Sequence, residues 1–153
     1  MNENIVPREA PEHYMELARR AALRSPGKST KVGCVIVPDN GIVIAGCCDF
    51  PGITERLNSR LLKPAKYQWL EHAERMCIYQ AAEMGIPLHG AHLYMPWYPC
   101  HECARGIVAS GISEIFIHAP DFNDPVWGES FQVAARILFE NNVQEHIMGV
   151  GRP

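Results

Sequence analysis

The sequence contains no run of about 18 apolar residues, the length that a membrane-spanning helix requires. It also has no excess of basic charge, because 14 lysines and arginines stand against 17 acidic residues and give a formal net charge of -3. These absences argue against a membrane protein and against binding of nucleic acid through a broad basic surface. The opening stretch MNENIVPREAPEH lacks the basic and apolar parts of a secretory signal. We therefore expect a cytoplasmic protein that acts on a small molecule.

A disulfide framework is not expected either, although the 153 residues include six cysteines. In a protein of the cytoplasm, such cysteines indicate a metal site or buried thiols. Four of them lie in apolar strand or helix patterns, where a free cysteine packs as a small hydrophobic residue: Cys34, Cys47, Cys48 and Cys77. Cys100 and Cys103 differ, because their spacing is typical of metal ligands. With 47% hydrophobic residues, we expect residues 1–153 to form one domain.

The pattern of apolar residues predicts an α/β protein. A helix over residues 8–24 is followed by two apolar strands, 31–37 and 42–48, whose connection PDNG is typical of a β-hairpin. After a long irregular segment over 49–69, helices and strands alternate: helix 71–84, strand 91–95, helix 100–110, strand 114–118, helix 131–142 and strand 145–150. This order predicts a three-layer α/β/α sandwich around a mixed sheet of about five strands.

Two short motifs carry the chemistry that the sequence suggests: HAE at residues 72–74 and PCHEC at residues 99–103. Cysteines three positions apart share one face of a helix, and at a helix N-terminus the free N–H groups favour thiolates. Cys100, Cys103 and the imidazole of His72 would supply three ligands to one Zn²⁺ ion. A fourth tetrahedral position would stay open, as it does in catalytic zinc sites.

Two neighbours of these ligands have different expected roles. His101 lies between the cysteines and would point away from the helix face that they share, so we place it outside the ligand set. Glu74 stands two positions from His72, and the two can face one pocket only if the helix begins near His72. A carboxylate there can take a proton from metal-activated water and pass it to a leaving nitrogen. The two motifs together match the signature of zinc-dependent nucleobase deaminases, with Glu74 as the catalytic residue.

Three longer segments resemble the cytidine and deoxycytidylate deaminase superfamily, and in particular its deoxycytidylate (dCMP) deaminase branch. They are SPGKSTKVGCVIV at 25–37, EHAERMCIYQAAEMGIPLHGAHLYM at 71–95 and PCHECARGIVASGISEIFI at 99–117. The resemblance spans residues 12–118 and implies the cytidine deaminase-like fold, one catalytic zinc ion and a homo-oligomer. It also implies that the backbone around Pro99 lines the pocket near the leaving amine.

Two positions depart from the usual pattern of that family. Many relatives carry a sugar-binding asparagine just after the second strand, where this chain has Cys48 followed by Asp49. A thiol cannot make the hydrogen bonds of an amide, so either Asp49 substitutes or the ligand lacks an ordinary deoxyribose. The second departure is PWYPC, in which Trp97 resembles a tryptophan of polynucleotide-editing deaminases. Trp97, with Tyr98 beside it, is a candidate either for stacking on the base or for closing the core.

A nucleotide substrate would also need a basic group for its phosphate. The candidates, with Lys66 among further basic residues of the same segments, are Lys31, Arg56, Arg60 and Lys63. Three aromatic residues are candidates for pocket closure, a subunit contact or core packing: Tyr67, Trp69 and Trp127.

The leading hypothesis is hydrolytic deamination of dCMP to dUMP and ammonia, by zinc-bound hydroxide with Glu74 as the proton shuttle. The first alternative is deamination of another free base or nucleoside, of purine, pterin or triazine type, because the sugar-binding asparagine is missing. Editing of tRNA or single-stranded DNA ranks lower, since the chain lacks a basic, aromatic-rich strand-binding surface. The last alternative is a non-catalytic zinc module, in which Glu74 would be dispensable.

Overall fold

The computed structural model describes residues 10–152, in which one sheet lies between two layers of helices. The helices are α1 (Pro11–Ala22), α2 (Lys66–Trp69), α3 (Ala73–Glu83), α4 (His101–Ser110) and α5 (Gly128–Glu140). The strands are β1 (Gly33–Val37), β2 (Ile44–Cys47), β3 (His92–Met95), β4 (Glu114–Ala119) and β5 (Gln144–Val150). Every helix of this described range is too short or too polar to span a lipid bilayer.

The sheet is mixed, with strand order β2-β1-β3-β4-β5. β1 pairs antiparallel with both β2 and β3, whereas β3, β4 and β5 run parallel to one another. The β1–β2 hairpin turns at Gly41, whose positive φ of 76° is readily adopted by glycine, and the Gly41 N–H donates to the Pro38 carbonyl. The predicted hairpin and the predicted mixed sheet of five strands are therefore confirmed.

Alternate residues of the strands face two different layers, as the two-residue period of a strand requires. On one face, α1 packs its apolar stripe against a small cluster: Tyr14, Met15 and Ala18 meet Val35, Val37, Tyr94 and Phe116. On the other face, α3, α4 and α5 cover a larger core that includes Cys34, Ile36, Leu93, Met95, Ile115 and Ile117. The central strands are buried on both faces, which explains why they read as continuous apolar runs. The predicted three-layer sandwich is confirmed.

Two regions differ from the sequence prediction. α5 begins at Gly128 and not at residue 131, because the Asp124 carboxylate accepts hydrogen bonds from the N–H groups of Val126 and Trp127 and organises the preceding turn. The segment 49–69 is not wholly irregular, since it contains a 3₁₀ turn at Asn58–Leu61 and the short α2. Residues 8 and 9 of the predicted first helix lie outside the described residues.

Candidate active site

Each half of the candidate site lies where a helix begins. His72 immediately precedes α3 with extended backbone angles (φ -76°, ψ 153°), and Cys100 immediately precedes α4 in the same way (φ -71°, ψ 167°). Glu74 and Cys103 then lie in the first turns of these two helices. The expectation that the helix begins near His72 is confirmed, and this start lets His72 and Glu74 face one pocket.

The three predicted zinc ligands converge on one point. The Sγ atoms of Cys100 and Cys103 lie 3.4 and 3.5 Å from Nδ1 of His72. All three ligand atoms lie within 4.8 Å of one another. A tetrahedral zinc ion with Zn–S near 2.3 Å and Zn–N near 2.0 Å would separate sulfur from nitrogen by about 3.5 Å. The arrangement therefore fits one zinc ion held by one imidazole and two thiolates.

The protonation of these donors is strongly perturbed by their proximity. The hydrogen bond from Cys103, with a further contribution from His72, lowers the pKa of Cys100 to about 3. The same bond and burial raise the pKa of Cys103. Burial lowers the pKa of His72, but its hydrogen bond to Cys100 and the charge of Glu74 outweigh burial and raise the pKa overall. Donors that share protons so closely can exchange those protons for a divalent cation.

Glu74 is buried, with only 3% of its surface exposed, and it lines the same cavity as His72 and Cys100. Burial raises the pKa of its carboxyl group, because removal from water disfavours the charged form. The nearby charge of His72 acts in the opposite direction. Such a carboxyl group is suited to exchanging protons nearer neutral pH than an exposed glutamate.

Arg75 completes the charged surroundings of the ligands, and the sequence analysis missed it. Its Nε donates to Glu71 Oε1 at 2.6 Å, and its NH1 lies 3.3 Å from Glu102 Oε2. The guanidinium interacts electrostatically with both Cys103 and Cys100. The four-residue spacing of Glu71 and Arg75 was visible in the sequence, but their position beside the thiols depends on the packing of α3 against α4.

The cavity that Glu74 lines has a volume of about 180 Å³, and several aromatic side chains form part of its wall. Trp97, Trp127 and Tyr67 line it. The ring centroids of Trp127 and His72 lie 6.0 Å apart, and those of Trp127 and Tyr67 lie 6.4 Å apart, both edge-to-face. Trp97 also packs edge-to-face on Phe131, so this side chain both lines the cavity and contacts the core, and its stacking on a base stays a prediction.

The predicted substrate contacts are only partly brought together. Trp97, Tyr98 and Cys48 line the cavity, whereas Pro99 is buried outside the lining. The Tyr98 hydroxyl donates to Glu145 of β5 at 2.5 Å and is thus already engaged. Asp49 accepts hydrogen bonds from Arg56 and from the Phe50 N–H, and it does not line the cavity.

The predicted phosphate-binding residues are more scattered. Lys63 lines the cavity, but Lys31, Arg56 and Arg60 do not. The Arg56 guanidinium is paired with Asp49, and that of Arg60 lies 3.7 Å from the ring centroid of Trp69.

Two other cations, Lys66 and Arg152, line the cavity. Arg152 was not singled out in the sequence, because a residue near the chain end gave no local signal. His101 hydrogen-bonds through Nδ1 to Ser130 of α5 at 2.8 Å.

Residues 8–119 match the family model described as the cytidine and deoxycytidylate deaminase zinc-binding region. The chain belongs to this deaminase family. The deoxycytidylate deaminase of Mus musculus is 30% identical over 139 residues, which cover 86% of this chain and 75% of that protein. The Homo sapiens deoxycytidylate deaminase is 29% identical over 138 residues, covering 86% of this chain and 74% of that protein. This deaminase is therefore a hydrolytic enzyme of the zinc-dependent class.

A solved structure agrees with the fold of this deaminase. The dCMP deaminase of cyanophage S-TIM5, in complex with dCMP and dUMP, superposes with a TM-score of 0.70 and 22% identity. The match covers 94% of this chain and 99% of that chain. At this level of identity the likeness concerns the fold, and it supports the cytidine deaminase-like architecture that the sequence resemblance implied.

Zinc content tests the three-residue ligand set of this deaminase. We expect the purified protein to hold one zinc ion per chain, and Cys103→Ala to lose most of it, because one imidazole and one thiolate hold the ion much less firmly than three ligands. Elemental analysis by mass spectrometry measures this. His101→Ala is the matched control and should keep its zinc, because that imidazole lies against Ser130. Zinc retained by Cys103→Ala, or lost by His101→Ala, would contradict the assignment.

Proposed function

We propose that this deaminase converts dCMP to dUMP and releases ammonia. The observation that carries the reaction type is the buried carboxyl group of Glu74, which opens into the same cavity as His72 and Cys100. The identity of the substrate is supported by the mouse and human relatives, which are deoxycytidylate deaminases and align with 86% of the chain. His72, Cys100 and Cys103 are the proposed zinc ligands, and Glu74 is the proposed acid and base.

The reaction adds water to the amine-bearing carbon of the base and then breaks the carbon–nitrogen bond. Glu74 accepts a proton from the water as the new carbon–oxygen bond forms. It then donates a proton to the exocyclic amine nitrogen, which leaves as ammonia. When bound, Zn²⁺ supplies the acidity that makes water a nucleophile near neutral pH. The raised pKa of Glu74, caused by burial, suits a carboxyl group that must both take and return a proton.

The aromatic walls of the cavity orient the base in this proposal. Trp97 and Trp127 both line the cavity, and the Trp127 ring lies next to His72. Flat bases stack favourably on such rings. A ring held between these walls would direct its exocyclic amine toward Glu74. The same walls exclude bulk water from the carboxyl group, which strengthens its interactions with the substrate.

Replacing Glu74 tests the proton transfer. We expect Glu74→Gln to lower kcat for dCMP by about 10²–10⁴-fold, because an amide keeps the shape but cannot carry the proton. Ammonia release gives the rate, and zinc content should stay at the wild-type level. Glu83→Gln, at the exposed end of the same helix, is the matched control and should be fully active. A zinc-loaded Glu74→Gln enzyme with the wild-type rate would exclude the proposed mechanism.

A pair of tryptophan variants tests the base-binding wall. Trp97→Ala should raise KM for dCMP about tenfold or more, because stacking of a base on an aromatic side chain contributes about 1–3 kcal/mol. Trp69→Ala is the control, since Trp69 stacks with Arg60 and does not line the cavity. Steady-state kinetics on both variants, with circular dichroism to verify folding, give the answer. Equal changes in the two KM values would argue against a specific role for Trp97.

A deaminase of a free base or nucleoside is the second candidate, and Cys48 is the observation that favours it. Cys48 lines the cavity where the family resemblance places a sugar-binding asparagine. Burial, together with the charge of Glu74, raises the pKa of Cys48 to about 12, so the group is a neutral thiol. A thiol is a weak hydrogen-bond donor and would hold a sugar hydroxyl less firmly than an amide.

A substrate panel separates the two candidates. We expect ammonia release to be fastest with dCMP in a panel of cytosine, guanine and adenine compounds with and without sugar and phosphate, together with pterins and aminotriazines. Comparison of kcat/KM across the panel is the measurement. A purine, pterin or triazine with a higher kcat/KM than every cytosine compound would establish the second candidate instead.

A further inference from the structure

Asp124, in the loop between β4 and α5, joins two parts of the chain that line the active-site cavity. Its Oδ1 accepts hydrogen bonds from the N–H groups of Val126 and Trp127 at 2.8 and 2.9 Å. Its Oδ2 accepts a hydrogen bond from the Arg152 guanidinium at 2.8 Å. Only 7% of the Asp124 side chain is exposed, although the side chain does not line the cavity itself. One carboxylate therefore ties the residue that precedes α5 to the segment that follows β5.

The first part that Asp124 holds is Trp127, whose ring belongs to the cavity wall. Besides the bond from the Trp127 N–H to the carboxylate, the Gly128 N–H donates to the Asp124 carbonyl at 2.8 Å. The Trp127 ring centroid lies 6.0 Å from that of His72 and 6.4 Å from that of Phe131. A tryptophan side chain has only two χ angles, so a fixed backbone leaves its ring few positions. The bonds of Asp124 thus help to set where this ring stands in the cavity.

The second part is Trp97, which Asp124 reaches through Arg152. The Arg152 Cζ lies 5.8 Å from the centroid of the Trp97 ring, a distance at which a guanidinium attracts an aromatic ring. Phe131 packs edge-to-face on the same ring, with centroids 5.8 Å apart. The Arg152 side chain is 57% exposed, and an exposed arginine has many rotamers open to it. The bond to Asp124 selects those rotamers in which the guanidinium lies against Trp97.

Resting on the deaminase function proposed above, we propose that Asp124 is a positioning residue that holds both tryptophan rings of the cavity in place for the substrate base. The N–H groups of Trp127 and Val126, together with Arg152, lower the pKa of Asp124, so the carboxylate keeps its charge at neutral pH. These three bonds involve neither Glu74 nor the proposed zinc ligands. Asp124 therefore acts on the affinity for the base and not on proton transfer.

Kinetics on Asp124 variants test this role. Asp124→Ala should raise KM for dCMP about tenfold or more, as expected for Trp97→Ala, because displaced rings lose their stacking on the base. Its kcat should change much less. Asp121→Asn is the matched control, since it removes a carboxylate of the same loop that accepts a hydrogen bond from the Asn123 N–H, and it should keep the wild-type KM. An unchanged KM in Asp124→Ala, or a kcat that falls as far as kcat/KM, would overturn the proposal.

A double-mutant cycle tests the path from Asp124 to Trp97. In Asp124→Asn, the amide oxygen can still accept the two backbone N–H groups, but the amide cannot pair with the Arg152 guanidinium. Arg152→Gln breaks the same pair from the other side. Because both changes remove one interaction, the double variant should raise KM for dCMP no further than Arg152→Gln alone. Additive effects of the two changes would show that Asp124 does not act through Arg152.

Tryptophan fluorescence separates this inference from the proposed reaction, because it needs no substrate. The chain has three tryptophans, and Trp69→Phe leaves the half-buried Trp97 and Trp127 as the emitters. In that background, Asp124→Ala should make acrylamide quench the emission more strongly, and Asp121→Asn should leave the quenching unchanged. Circular dichroism verifies the fold, and Asp124→Asn gives the same comparison if Asp124→Ala does not fold.

The outcomes of the fluorescence experiment are distinct. Quenching that is equal with and without the Asp124 substitution, in folded protein, overturns the positioning of the rings. Stronger quenching in the Asp124 variant, with a wild-type protein that does not turn over dCMP, would leave that positioning standing and refute the proposed reaction.

Discussion

The site depends on one packing constraint: α3 and α4 must begin side by side, so that the residue before each helix faces the other. That constraint places Nδ1 of His72 3.4 and 3.5 Å from the two cysteine sulfurs. The order of the strands produces it, because α3 covers β1 and β2 while α4 follows β3, the next strand in the sheet. A shift of one helix by a single turn, about 5.4 Å, would separate the donors beyond the reach of one ion. The metal centre is therefore a property of the assembled layers as much as of the two motifs.

Charge balance links the proposed metal to the burial of its surroundings. Two thiolates and the Glu74 carboxylate would carry three negative charges in a site where Cys103 is fully buried and Glu74 nearly so. Uncompensated charges in such a site are very costly. The two positive charges of Zn²⁺ and the one of Arg75 would balance them. Arg75 is itself held by Glu71 and Glu102, whose greater exposure leaves their charge better solvated. Without the ion, the two sulfurs share one proton: the pKa of Cys100 is lowered and that of Cys103 is raised, so Cys103 keeps the proton and donates it to the Cys100 thiolate.

The features that could be predicted from the sequence are those determined by residues that lie close together along the chain. Strand alternation and helix-stop residues placed the sheet and its layers, and the spacing within HAE and PCHEC identified the candidate ligands before any geometry was known. The basic residues that were candidates for binding a phosphate could not be ranked in this way. Arg56 and Lys66 lie in the same segment, 49–69, and both carry a positive charge, but Asp49 pairs with the first and Ser29 accepts a hydrogen bond from the second. Arg152 reaches the cavity only because β5 runs parallel to β4 and carries the end of the chain back beside Trp97.

The residues proposed for the reaction and the residues at the cavity entrance lie in different parts of the fold. The metal donors and Glu74 lie at helix starts fixed by the core, so their geometry cannot change without disturbing the sheet packing. The entrance of the cavity is built from the loop before β1, the segment 49–69 and the end of the chain, which contribute side chains but little core. Loops supported by a rigid scaffold tolerate substitution far better than core elements do. In the proposed mechanism, substitutions around the cavity entrance would alter which substrate is bound, whereas substitutions at the two helix starts would abolish the reaction.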